Sequence, residues 1–183
     1  MRRLLLLRHA KAETSNPGRR DHDRILAKRG RSDAARLGSY LARHSFVPDH
    51  ALVSGAARTR ETWTLLAEAL GQDLGQDLGQ EPTADIDESL YDASPRTILQ
   101  AIQETEPGVG TLLVIGHNPG LQELATMLTA SGDVDTRRRL QESFPTTALA
   151  VIHFATEDWG GVHAKGGRLE HFITPQWLEA ATD

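Results

Sequence analysis

Residues 4–7 are four consecutive leucines, and the run ends abruptly in Arg8 and His9. Four apolar residues are too few for an ordinary helix, and an unbroken run leaves no polar face for water. The segment therefore reads as a strand buried on both sides, as in a parallel sheet covered by helices above and below. Residues 111–115, Thr-Leu-Leu-Val-Ile, repeat the pattern. Two such strands commit the chain to an α/β architecture.

The segments between them supply helices. Ala34, Leu37 and Leu41 fall at i, i+3 and i+7 before Pro48, and Leu65, Leu66, Ala69 and Leu70 make an apolar face on a helix expected to stop at Gly71. Ser94-Pro95 reads as N-cap and first helical residue, with Ile98, Ala101 and Ile102 on one face and Pro107-Gly108 as the stop. Asn118-Pro119 opens a helix carrying Leu121, Leu124, Ala125 and Leu128. Residues 51–53 form a short strand. Residues 148–154 and 168–173 form a closing pair, antiparallel and at a sheet edge, joined by a Gly-rich segment in which Trp159 packs at the edge. The expected fold is a three-layer α/β/α sandwich, its sheet mostly parallel with an antiparallel C-terminal edge, in a single domain over residues 1–183. That length is enough to bury a core. Residues 71–80 hold a tandem duplication of Gly-Gln-Asp-Leu; two copies are too few for a solenoid, and an expanded surface loop is expected.

Composition narrows the function classes. At 39% apolar and 25% charged residues the chain reads as soluble and globular. Twenty Lys+Arg against 25 Asp+Glu give a net charge of −5, which offers no case for nucleic-acid or membrane binding. The absence of cysteine removes disulfides, thiol nucleophiles and zinc–thiolate sites. Met1-Arg2-Arg3 begins like a signal peptide, but the leucine run falls short of the roughly 7–15 residues of an h-region, so a cytoplasmic location is expected. Arg137-Arg138-Arg139 reads as a solvated face or loop, and His153, His163 and His171 lack tight metal spacing. With no Walker loop and no dinucleotide fingerprint, neither a metal nor a cofactor is implied.

The chemistry sits at three strand ends. The first strand ends in Arg8-His9, the second at Ser54 with Arg58 about one turn into the next helix, and the later one in Gly116-His117 before a helix N-terminus. In a parallel sheet, strand carboxyl ends and helix amino ends share one face, so these residues converge although far apart in sequence. Two arginines and two histidines at one place describe a pocket for a tetrahedral dianion, because guanidinium forks match phosphate oxygens and helix N-termini add donors. Taken singly, each has a plainer reading: a strand terminus reaching solvent, a core histidine, a surface arginine. Their equivalent topological positions favour the pocket.

Leu7-Arg8-His9-Ala10 resembles the signature of the histidine phosphatase superfamily. The segment from Ser54 to Thr62, with Arg58, is similar to its second-arginine segment, often Ser-Pro-x-x-Arg-x-x-Gln-Thr, and Gly116-His117-Asn118-Pro119 to its second-histidine segment. The tail Phe172-Ile173-Thr174-Pro175 is similar to that of the small SixA-type phosphohistidine phosphatases. Departures are Ala10 for Gly, Gly55 for Pro and Glu61 for Gln; they leave the charged groups intact. The resemblance implies a phosphoglycerate mutase-like fold, His9 as the nucleophile, and Arg8, Arg58 and a protonated His117 neutralising the phosphoryl oxygens. It also places Arg24 where such proteins often have an arginine reaching the pocket, although a surface arginine in a polar loop is a competing reading. The implied substrate is phosphohistidine on a signalling protein such as a histidine-containing phosphotransfer domain, with inorganic phosphate as product.

The leaving group divides the alternatives. An alkoxide needs a proton from a positioned acid, whereas the P–N bond of phosphohistidine breaks easily once the imidazole is protonated. Asp92, in Leu90-Tyr91-Asp92, matches the spacing of the family's acid with a shorter side chain; otherwise it is a loop carboxylate beside Ser94. Asp87 and Glu88 are weaker candidates. A working Asp92 would favour a phosphomonoesterase acting on a small phosphorylated molecule. A non-catalytic phosphate-binding scaffold is the rival outside enzymes.

Overall fold

The computed structural model describes residues 1–75 and 82–182. Seven strands form one sheet: β1 (Arg2–Arg8), β2 (His50–Ser54), β3 (Thr83–Asp87), β4 (Thr111–Gly116), β5 (Thr129–Gly132), β6 (Leu149–Phe154) and β7 (Gly167–Ile173). Their order is β3-β2-β4-β1-β6-β7-β5. β1, β2, β3 and β4 run parallel, while β6 lies antiparallel to both β1 and β7. The sandwich and the antiparallel C-terminal pair thus form as the patterning predicts, with short β5 added outside β7 and parallel to it.

The leucine run explains why the layers stack as they do. Successive strand residues face opposite ways. Leu4 and Leu6 join Ile98 and Ile102 of α3 (Pro95–Gln103), Leu121, Leu124 and Leu128 of α4 (Gly120–Leu128), and Leu140 of α5 (Val134–Glu142). Leu5 and Leu7 join Leu37 and Leu41 of α1 (Lys28–Arg43), Leu66 and Leu70 of α2 (Ala57–Leu74), and Leu178 of α6 (Pro175–Thr182). All four leucines are fully buried. At about 2 kcal/mol for burying each such side chain, this strand anchors both cores.

Several details depart from the pattern reading. α2 runs through Gly71 to Leu74 and ends where Gly75, at φ +56, donates its N–H to the Gly71 carbonyl. Residues 71–74 of the duplication are therefore helical, and residues 76–80 lie outside the described residues. Trp159 is fully buried in the α3–α4–α5 layer, its indole N–H donating to the Val109 carbonyl at 2.8 Å. The arginine run 137–139 lies on α5, where Arg138 pairs with Glu142 and Arg139 covers the Phe172 ring. Ser94 caps α3 as its sequence indicates, accepting from the Thr97 N–H. Among the described residues no helix is long and apolar enough to cross a membrane.

Candidate active site

β1 and β4 pair in register up to Arg8 opposite Gly116, so both strands deliver their last residues to the same edge. His9 continues the pairing by one bond, donating its N–H to the Gly116 carbonyl at 3.1 Å. The Thr147 N–H, donating to the carbonyls of Arg8 and His9 at 3.0 and 3.1 Å, holds this turn from the other side. His9 is 6% exposed, and its Nδ1 lies 2.8 Å from the Ala10 carbonyl oxygen. A carbonyl only accepts, so Nδ1 carries the proton and Nε2 keeps a lone pair.

That lone pair meets Arg58. The Ser54 carbonyl accepts from the Thr59 hydroxyl at 2.6 Å, and Thr62 Oγ accepts from the Ala10 N–H at 3.0 Å, which locks the first turns of α2 to β2 and to the segment after β1. The Arg58 guanidinium, 4% exposed, donates from Nε to His9 Nε2 and from Nη2 to His117 Nδ1, both at 3.3 Å. Because Arg58 has only donors, His117 Nδ1 accepts. His117 Nε2 then carries the proton and donates to Ser54 Oγ at 2.7 Å. The two imidazoles stand with centroids 5.3 Å apart. Arg8 donates from Nη1 to the Phe144 carbonyl at 2.9 Å, and its buried Nε–H has no acceptor among the described residues.

Electrostatics follow from burial and this crowd of cations. The His9 pKa is lowered to about 4, chiefly because burial strips water from the imidazolium; the fields of Arg58, Arg8 and Arg24 add to this, while the Ala10 carbonyl opposes it. His117 is lowered to about 3 by burial first, then by His9 and Arg58. Both rings are neutral at pH 7. A neutral His9 is what nucleophilic attack needs. A neutral His117 differs from the protonated form expected from the resemblance: burial disfavours the charged ring, its Nδ1 already accepts from a guanidinium, and the Asp21 carboxylate offsets this only in part.

Arg24 reaches this centre through a partner that sequence reading missed. A 3₁₀ turn, Asp21–Asp23, lies over the pocket. Asp21 accepts from Arg24 Nη2 on Oδ1 and from Arg58 Nη2 on Oδ2, each at 3.1 Å, and its carbonyl accepts from Arg58 Nη1 at 2.8 Å. The Tyr91 hydroxyl donates to the same Oδ2 at 2.6 Å, and the Tyr91 ring stands edge-on to His117 at 5.4 Å. Tyr91, Arg58 and Arg24 hold the Asp21 carboxyl below its usual range. The only signal in the sequence was an Asp three residues before Arg24, in a polar stretch without periodicity.

No hydrogen bond among the described residues joins the proposed acids to His9, Arg58 or His117. Asp92 is exposed, at φ +47. Asp87 caps the following 3₁₀ turn by accepting from the Ser89 N–H at 2.8 Å. Glu88 accepts from His22 Nε2 at 3.0 Å. Glu61, which replaces the family's Gln, accepts from the Leu26 N–H at 2.8 Å and from Arg31 at 2.6 Å, tying the segment after β1 to α2. Among the described residues no cluster of His, Asp or Glu has the arrangement of a metal site.

A sequence profile of the histidine phosphatase superfamily (branch 1) matches residues 4–83. Over 172 residues the chain is 34% identical to an uncharacterized protein of Mycobacterium tuberculosis, covering 93% of this chain and 100% of that one. A structure from Agrobacterium tumefaciens that carries the name phosphohistidine phosphatase SixA superposes with a TM-score of 0.74 at 29% identity, covering 95% and 99% of the two chains. One from Nakamurella multipartita, under the same name, gives a TM-score of 0.79 at 25% identity, covering 95% and 96%. With His9, Arg8, Arg58 and His117 gathered at one sheet edge, this protein belongs to the histidine phosphatase superfamily as a SixA-type member.

Proposed function

We propose that the protein is a phosphatase that passes the phosphoryl group through His9 and takes it from phosphohistidine on a cytoplasmic signalling protein, such as a histidine-containing phosphotransfer domain. The observation that carries this reading is the His9 ring: Nδ1–H is tied to the Ala10 carbonyl, and the Nε2 lone pair is presented among Arg58, Arg8 and His117. In the first step His9 Nε2 bonds to phosphorus. The substrate P–N bond breaks, and its electron pair returns to an imidazole protonated on its other nitrogen. Water then attacks phosphorus, the pair of the P–Nε2 bond returns to His9, and phosphate leaves. Arg8, Arg58 and Arg24 neutralise the equatorial oxygens throughout, the kind of fixed field that supplies much of the rate in phosphoryl transfer.

The carboxylates favour P–N over P–O cleavage. Asp87 accepts from the Ser89 N–H, Glu88 pairs with His22, Asp92 is exposed, and Asp21 is held ionised. These surroundings support a substrate whose leaving group needs no strong acid. The test compares a phosphohistidine protein with p-nitrophenyl phosphate and sugar phosphates, using wild type, His9→Ala and Asp92→Asn. Turnover of the phosphoprotein, abolished in His9→Ala and kept in Asp92→Asn, is expected. Activity surviving in His9→Ala would sink the mechanism. Efficient wild-type turnover of sugar phosphates that Asp92→Asn removes would favour the monoesterase reading, and binding without turnover on every substrate the scaffold reading.

A further inference from the structure

Arg58 offers two edges, and they are used differently. Its Nε–H and one Nη2–H face the two histidine nitrogens, where a phosphate would lie. Nη1 and the other Nη2–H are gripped by Asp21, through its main-chain carbonyl and Oδ2. The second carboxylate oxygen holds Arg24. We propose that Asp21 is a positioning residue of the phosphate site: one carboxylate aligns two guanidiniums with their free donors inward, and it trims the pocket charge to match a dianion. Three guanidiniums, of Arg8, Arg24 and Arg58, less one carboxylate leave two positive charges while both histidines are neutral.

The support around Asp21 is built for that task. Tyr91 donates to Oδ2, so a third donor fixes the carboxylate, and the Tyr91 ring lies beneath the Arg58 guanidinium at 5.8 Å. The neighbouring His22 stands edge-on to the Tyr91 ring at 4.9 Å and pairs with Glu88 at 3.0 Å. The Glu88 carboxylate lies against Gly55, where a Cβ would displace it. Gly55, a departure from the family pattern, thus leaves room for the contact between Glu88 and the 3₁₀ turn carrying Asp21.

The proposal rests on the phosphatase reading for its catalytic part, but phosphate affinity is measurable without turnover. The experiment titrates inorganic phosphate calorimetrically into wild type, Asp21→Asn, Asp21→Glu and Glu88→Ala, and measures kcat on a phosphohistidine protein for each. Asp21 is half exposed, so these variants are expected to fold. Removing its charge from beside the anion should tighten phosphate binding in Asp21→Asn by roughly three- to tenfold at low salt. The misaligned guanidiniums should cut kcat by about tenfold. Asp21→Glu should recover part of kcat, and Glu88→Ala should lower kcat less than Asp21→Asn does. Mere structural damage would weaken binding and turnover together. Unchanged or weaker phosphate affinity in Asp21→Asn, or an unchanged kcat, overturns the proposal. A wild-type protein that binds phosphate but releases none from the phosphoprotein refutes the functional reading instead, and the titration alone then decides the role of Asp21.

Discussion

Acidification should destabilise this fold through two buried histidines, His9 and His117. Both are almost fully buried, with pKa values lowered from 6.5 to about 4 for His9 and about 3 for His117. The unfolded chain therefore takes up protons that the folded chain refuses. Stability is fully present above pH 6.5 and is lost as the pH falls from there toward 4 and 3. Between about pH 7.5 and 5 the linkage relation gives about 2 kcal/mol for each ring, about 4 kcal/mol together. That is a large share of the 5–15 kcal/mol typical of a domain. Urea unfolding at half-unit pH steps measures it, and the double variant His9→Gln, His117→Gln should flatten most of the slope. The variant separates the two rings from His153, whose lowered pKa acts in the same direction, and from Asp33, whose raised pKa acts oppositely. A wild-type stability flat to within about half a kcal/mol over this range, or a slope that survives in the double variant, would refute the burial argument.

Three substitutions probe the scaffold of the site. Ser54→Ala leaves the buried His117 Nε2–H without its acceptor; a stability loss of about 1–3 kcal/mol by urea unfolding and a kcat reduced about tenfold are expected. Gly30→Ala would drive a Cβ into the Lys11 main-chain carbonyl, two residues beyond His9. It should cost about 2 kcal/mol or more by thermal unfolding and lower kcat with it. Glu61→Ala removes the acceptor of the Leu26 N–H and the partner of Arg31. A loss of about 1–2 kcal/mol is expected, partly restored in Glu61→Gln, and equal stability of all three proteins would rule out that anchoring role.

How far the sequence reads depends on where burial leaves a pattern. β1 and β4 are legible because both faces are buried, and α1, α3 and α4 because one face is. β3 and β5 carry mostly half-buried or exposed residues and leave no alternation to find. Trp159 looks like edge packing beside its glycines, yet the chain returns it to a core layer. The Gly71 stop fails because α2 has a turn still to run before Gly75 closes it.

The site divides along the same line. Sequence alone placed Arg8, His9, Arg58 and His117 together, because parallel strands deliver their carboxyl ends to one edge whatever the distance along the chain. Tertiary structure alone decided the His9 and His117 tautomers, since each proton follows the partner that folding brings to the opposite nitrogen. It also brought Asp21 and Tyr91, 70 residues apart, to one carboxylate contact over Arg58. Neither residue lies in a periodic segment, and a lone acid in a polar loop carries no sign of what it will meet. Apolar periodicity reports burial, whereas the pairing of polar groups depends on the fold that burial has made.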